Sequence, residues 1–162
     1  MICNEIYLDM DGVLCNYDYW IERVDGRKEN GRSDWKKLEK IGSRFWSEMP
    51  WIEEGRKLYN YLLNRRDKYG FRLGILSAIH LPCGKAGKKE WLKRNCPEID
   101  KEDIIICQNG ACKYKYAAPN RLLVDDRDSI CTEFTVAGGN AIQFTGDCAS
   151  IINSLEQIFE KE

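Results

Sequence analysis

Ile6-Tyr7-Leu8-Asp9-Met10-Asp11-Gly12-Val13-Leu14 passes from an apolar run through two alternating aspartates to a glycine and back to apolar residues. Its first part reads as a short strand, Glu5–Leu8. Residues two apart in extended chain project to the same side. Asp9 and Asp11 are therefore expected to leave the strand's carboxyl end near one another, with Gly12 permitting a sharp exit. Two carboxylates about 4 Å apart repel by about 4 kcal/mol at an effective dielectric near 20. Such a pair needs a proton, a basic partner or a cation.

Working outward, four more apolar runs read as strands: Phe71–Leu76, Asp103–Cys107, Arg121–Val124 and Asn140–Phe144. Several are nearly continuous in apolar residues, as parallel strands covered on both faces are. Helix-period segments lie between or after them, over Glu53–Lys68, Gly84–Asn95, Asp128–Ala137 and Cys148–Phe159. The last places Ile151, Ile152, Leu155, Ile158 and Phe159 on one stripe. Strands alternating with helices predict an α/β fold with an open, mostly parallel sheet and right-handed crossovers. Residues 15–51 are too long for a plain connection and hold 7 of the 18 aromatic residues. They are expected to form a small helical insertion over the sheet's carboxyl edge, its rings making a mini-core with one or two, Trp46 among them, facing a ligand.

The carboxyl edge is where open α/β sheets bind ligands. A second acidic pair, Asp125-Asp126, follows the apolar run Leu122-Leu123-Val124. If the first and fourth strands are neighbours, four carboxylates meet at one rim. A hard divalent cation with oxygen ligands resolves that crowding, and magnesium suits a site of few carboxylates completed by water and phosphate. Ser77 ends the second strand, and Lys113 and Lys115 lie between the third and fourth, where an ammonium could offset a phosphate oxygen or an aspartate. Taken singly, a strand-end serine is usually a cap and a loop lysine is usually solvated.

Composition narrows the classes. The 162 residues suit one domain, with 43% hydrophobic and 31% charged residues and a mean hydropathy of −0.53. No stretch approaches the roughly 20 apolar residues that span a bilayer, and Met1-Ile2-Cys3-Asn4-Glu5 shows no basic leader, so a cytoplasmic protein is expected. Five Trp and eight Tyr argue for burial rather than disorder. Net charge is −1, distributed as −2 over residues 1–50, +5 over 51–100 and −4 over 101–162. The basic middle reads as a solvated helix face, and a duplex-binding protein would carry a larger excess over the whole domain. The eight cysteines include no Cys-x-x-Cys and no paired zinc spacing, so free thiols packed as small hydrophobes are expected.

Asp9-Met10-Asp11-Gly12-Val13-Leu14, then Ser77, a loop lysine and Val124-Asp125-Asp126-Arg127, in that order, resembles the haloacid dehalogenase (HAD) superfamily of phosphatases. The wording of the first motif, the short insertion, the doubled aspartate and the stretch from Phe45-Trp46 to Trp51-Ile52-Glu53-Glu54-Gly55 look like its 5′(3′)-deoxyribonucleotidase group. The resemblance implies one domain over 1–162, a three-layer Rossmann-like core with residues 15–51 as a small cap. It implies a magnesium-dependent phosphomonoesterase with Asp9 as nucleophile, forming an aspartyl-phosphate. Asp11 would protonate the leaving alkoxide and then activate water, Ser77 would hydrogen-bond the phosphoryl group, and Lys113 would offset its charge. Magnesium would bind Asp9, the main-chain carbonyl of Asp11, Asp126 and a phosphate oxygen, with Asp125 orienting the lysine or a metal-bound water.

Two features depart from the pattern or leave it open. The second motif here is Ser77-Ala78-Ile79-His80, so Ala78 and His80, the single histidine, are expected at the substrate or in the following turn. Lys113 fits the third motif best, with Lys115, two residues away, a substrate-side alternative and Lys88, three before Trp91 and resembling a surface feature of the group, a weaker candidate. The expected partner is a small phosphomonoester, a nucleotide first, rather than a membrane or nucleic acid; no oligomeric state follows. The alternatives are a phosphatase for a polynucleotide 3′-phosphate or a sugar phosphate, and a HAD-like domain that binds without catalysis. A receiver-type signalling domain is excluded by motif order, because its hydroxyl follows a later strand.

Overall fold

The computed structural model describes residues 3–160; Met1 and Ile2 of the N-terminal stretch read above lie outside them. Five strands, β1 (Glu5–Leu8), β2 (Arg72–Ala78), β3 (Ile104–Cys107), β4 (Arg121–Asp125) and β5 (Asn140–Gln143), form one sheet. It is parallel at every pairing and ordered β3-β2-β1-β4-β5. The crossovers are the helices α4 (Glu53–Tyr69), α5 (Pro82–Asn95) and α6 (Asp128–Val136), and α7 (Cys148–Phe159) follows β5.

Side-chain alternation along the strands explains the three layers. Ile6 and Leu8 of β1, Leu73 and Ile75 of β2 and Leu122 and Val124 of β4 share one core with Leu58 and Leu62 of α4, Leu92 of α5 and Leu155 of α7. Tyr7, Leu76 and Leu123 face the opposite way, against Ile130 and Phe134 of α6. Burying each such side chain stabilises the fold by about 1.5–3 kcal/mol. α4 ends at Gly70, whose φ of +68° is a left-handed cap. α7 starts at Asp147, whose Oδ1 accepts from the Ala149 and Ser150 amides.

Two boundaries differ from expectation by two residues, the others by one at most. β2 runs two residues past Leu76, because Ser77 and Ala78 pair with Ile106 and Cys107 of β3. Ser77 thus lies inside the strand. α5 begins at Pro82 rather than Gly84, proline being pre-set for the first helical turn.

Between β1 and α4 lie three short helices, α1 (Tyr17–Arg23), α2 (Trp35–Ile41) and α3 (Arg44–Ser47). Asn16 and Asp34 cap the first two with side-chain oxygens. α3 sits against α5 at closest range over Gly87, where a Cβ would fall 2.2 Å from the Ser43 carbonyl oxygen and 2.8 Å from the Trp46 Cβ. Most aromatic residues of this stretch pack internally: Phe45 is edge-on to both Tyr17 and Trp46, and Trp51 lies against Trp91. Among the described residues no helix is long and apolar enough to cross a membrane, and Cys15, Cys83, Cys96, Cys107, Cys112, Cys131 and Cys148 are free thiols.

Candidate active site

The parallel register brings the two acidic motifs together. Leu8 pairs with Val124, and the ladder continues as the Asp9 amide donates to the Val124 carbonyl at 3.0 Å. Asp9 and Asp125 therefore stand side by side at the carboxyl edge, on the sheet face that also carries Tyr7 and Leu123. That face is covered by a 3₁₀ turn, Gly110–Tyr116. From it Lys113 Nζ reaches Asp9 Oδ1 at 2.9 Å and Asp125 Oδ2 at 2.6 Å. Lys113 is 1% exposed and Asp125 fully buried. Burial pushes the Asp9 carboxyl up, but Lys113 and Lys88 outweigh it and hold the group below the usual carboxylate range. Burial works against the charged Lys113, yet Asp9 and Asp125 hold its ammonium above the ordinary lysine value.

Asp9, Asp125 and Asp126 each offer an oxygen within 4.8 Å of the others. The Asp126 carboxyl lies against the chain as it leaves β1: Gly12 has φ +82°, and a Cβ there would come within 2.3 Å of Asp126 Oδ2. Glycine is thus required twice over, by conformation and by space. Burial, then Asp9 and Asp125, push the Asp126 carboxyl up to about 7. The four aspartates 9, 11, 125 and 126 meet two lysines and Arg127 here, so carboxyl groups outnumber the cations. All donors are hard oxygens, so a divalent cation such as magnesium fits the set in charge and chemistry. Asp125 has both oxygens engaged, Oδ2 by Lys113 and Oδ1 by the Arg127 amide at 3.0 Å. That occupation suits the orienting role expected of it. Asp9 Oδ1 accepts from Lys113 and from the Met10 amide at 2.7 Å.

Asp11 turns to a different cation. Its Oδ2 accepts from Lys88 Nζ at 2.8 Å, and its Oδ1 is buried without a hydrogen-bond partner. The side chains of Asp9 and Asp11 thus diverge to opposite sides of the sheet edge while both line one pocket of about 250 Å³. Lys113, Asp126 and Arg127 line it from the core side. Tyr17, Ser33, Trp35 and Trp46 line it from the 15–51 stretch, and Ala78 and His80 from the end of β2. The Trp35 and His80 rings are 4.7 Å apart, joining the two walls. Burial, then Arg127 and Lys88, push the His80 imidazole below its ordinary value, so it is neutral at pH 7.

Four placements differ from the sequence expectation. Ser77 is fully buried and absent from the pocket lining; its Oγ accepts from Lys88 Nζ at 2.9 Å, beneath the pocket floor. Lys115 is exposed and does not line the pocket, since positions two apart in a 3₁₀ turn diverge. Lys88, the weaker motif candidate read as a surface feature, is 1% exposed because Asp11, Ser77 and the Ala78 carbonyl take its ammonium inward. Trp46 lines the pocket at 2% exposure, so it is chiefly a core residue. Arg127, which closes the fourth motif in the sequence but had no role there, also lines the pocket.

No protein-family model matches this sequence, and no curated protein matches it. Solved structures do match in shape. A hydrolase from Streptococcus pneumoniae TIGR4 aligns with a TM-score of 0.54 at 15% identity over 96% of this chain and 100% of its own. A phosphonoacetaldehyde hydrolase like protein from Oleispira antarctica aligns at 0.56 and 10% identity, over 99% of this chain and 84% of its own. A HAD family enzyme from Bacteroides thetaiotaomicron, crystallised as an aspartate-to-alanine mutant with magnesium and inorganic phosphate, aligns at 0.51 and 14% identity, over 90% and 95%. The chain thus has the Rossmann-like α/β fold seen in that HAD family enzyme.

Proposed function

We propose that this chain is a HAD-type, magnesium-dependent phosphomonoesterase acting through an aspartyl-phosphate on Asp9, with a nucleoside monophosphate as substrate. The observation that carries the reading is Asp9 itself. It is a carboxylate held ionised by a buried lysine at a sheet's carboxyl edge, facing a pocket and beside two further aspartates.

Asp9 attacks phosphorus through the carboxylate oxygen not engaged by Lys113, and the ester P–O bond breaks. Asp11 delivers a proton to the departing alkoxide. In the return half, Asp11 takes a proton from the attacking water, phosphate departs and Asp9 is restored. Lys113 stays charged throughout, offsetting the negative charge that gathers at Asp9. Magnesium, held by Asp9, Asp126 and the Asp11 main-chain carbonyl, would supply charge neutralisation for the phosphoryl oxygens.

Three things support the nucleotide. The motif wording resembles the deoxyribonucleotidase group. The pocket is small, which suits a monomeric ester. Tyr17, Trp35 and His80 offer ring faces beside the acidic rim, and a nucleobase has a π-face to set against them. Residues 15–51 act here as a small cap. The test is magnesium-dependent phosphate release across a panel of nucleotides and sugar phosphates, with Asp9→Asn alongside. Nucleoside monophosphates turned over by wild type and not by Asp9→Asn are expected. Equal release by both ends the mechanism, and turnover of sugar phosphates alone ends the nucleotide assignment.

A further inference from the structure

Lys88 is the one other buried lysine among the described residues, and the mechanism above gives it no task. Its ammonium has three donors, and all three are used: Asp11 Oδ2 at 2.8 Å, Ser77 Oγ at 2.9 Å and the Ala78 carbonyl at 2.7 Å. Two of these acceptors belong to β2 and one to the loop after β1. Asp11 is therefore referenced to the sheet rather than left to the loop that carries it. The tether also distinguishes the two carboxylate oxygens. Oδ2 is fixed by Lys88, while Oδ1 is buried and has no hydrogen-bond partner.

The backbone that presents Lys88 is itself rigidly seated. Gly87 lets α5 close onto α3, and one turn later Trp91 Nε1 donates to the Met49 carbonyl at 2.8 Å. We infer that Lys88 is a positioning residue for Asp11: it holds the carboxyl group through Oδ2 at the rim of the pocket that Asp11 lines. The inference rests on the phosphomonoesterase reading. It adds that Lys88, beyond its share in keeping Asp9 ionised, contributes specifically to the step in which Asp11 hands over a proton.

That specific contribution is testable by leaving group. The p-nitrophenolate anion departs without a proton, whereas an alkoxide requires one. kcat/KM reports the steps up to leaving-group release and is blind to the later hydrolysis. The magnesium-loaded full chain is assayed on p-nitrophenyl phosphate and on glycerol 2-phosphate, comparing wild type, Lys88→Met, Asp11→Asn and the double variant. Lys88→Met is expected to lower kcat/KM on the alkyl ester by about tenfold more than on the aryl ester. In the Asp11→Asn background Lys88→Met should cause no further loss specific to the alkyl ester. If Lys88→Met does not give the wild-type circular dichroism spectrum, Lys88→Arg carries the same comparison. Its planar fork cannot serve all three acceptors, so the alkyl ester should again lose more.

Equal loss on both esters, or an alkyl-specific loss that persists undiminished in the Asp11→Asn background, overturns the inference and leaves the phosphatase reading standing. A wild-type chain that releases phosphate from neither ester overturns both.

Discussion

Replacing Lys113 with methionine removes the charge that lets two buried carboxylates stand together. At 2.9 and 2.6 Å, each ion pair comes to about 6 kcal/mol of Coulomb attraction at an effective dielectric near 20. Repulsion between Asp9 and Asp125, whose oxygens lie within 4.8 Å, takes back at least about 3.5 kcal/mol at the same dielectric. Desolvation of the buried ammonium opposes most of what remains, so the measurable quantity is the cost of breaking a buried pair, about 3–5 kcal/mol. That is a large share of the 5–15 kcal/mol typical of a folded domain. Urea unfolding of Lys113→Met without magnesium at pH 7 should show a loss of that size.

The pH dependence gives the sign. In wild type the Asp9 carboxyl sits below its ordinary value, so its contribution is present at neutral pH and is lost as pH falls through the folded value. Burial and Asp9 already hold Asp125 above the ordinary carboxylate value; without Lys113 Asp9 is pushed up as well, and the folded variant binds a proton that the unfolded chain does not. The penalty should therefore be largest near pH 7 and shrink toward pH 4–5. A loss below about 1 kcal/mol at pH 7, or a penalty that grows on acidification, would refute the electrostatic reasoning.

Asp126 predicts a proton linkage for magnesium. Its carboxyl stands at about 7 in the cation-free protein, so its contribution to stability is lost as pH rises from the ordinary carboxylate range through 7. Magnesium needs the anion, so binding should weaken about tenfold per pH unit below 7. Calorimetry in buffers of different ionisation enthalpy should detect about half a proton released at pH 7, more at lower pH and none at pH 9; no release at pH 7 or below contradicts the shift. Gly87→Ala should cost about 1–3 kcal/mol, because its Cβ meets a backbone oxygen and a tryptophan Cβ, both fixed. Gly84→Ala, whose nearest neighbours are the Trp46 ring at 3.2 Å and the Ile79 Cγ2 at 3.3 Å, should cost less, a contrast that thermal melts will read. Trp35→Ala should raise KM for a nucleotide about tenfold or more, as one lost stacking partner implies, with little change for a sugar phosphate.

The order of elements was open to reading because its signals are local. β1 and α7 have the expected bounds, since an apolar run ending in aspartate and a single-sided apolar stripe after Asp147 define themselves. The adjacency of Asp9 and Asp125 was conditional on β1 and β4 being neighbours, a property of topology that no short stretch encodes. The same holds for β2, whose last two residues become strand by pairing with β3. Lys88 was misplaced because a helical lysine ordinarily reads as solvated. The corrective signal was nevertheless present: Gly84, Gly87, Lys88, Trp91 and Leu92 share the buried stripe of α5, and a lysine in such a stripe requires an acid to meet it. Lys113 and Lys115 could not be separated by spacing, since the 3₁₀ turn that turns one inward and the other out is set by packing against α6.

Covalent chemistry at one carboxylate can be observed rather than inferred. Acid quenching of the magnesium-loaded enzyme during turnover of a phosphorus-labelled ester, followed by peptide mapping, should place a labile acyl-phosphate on the peptide that contains Asp9. The label should vanish in Asp9→Asn. Sustained turnover with no labelled protein, or with the label on any other residue, would contradict the account.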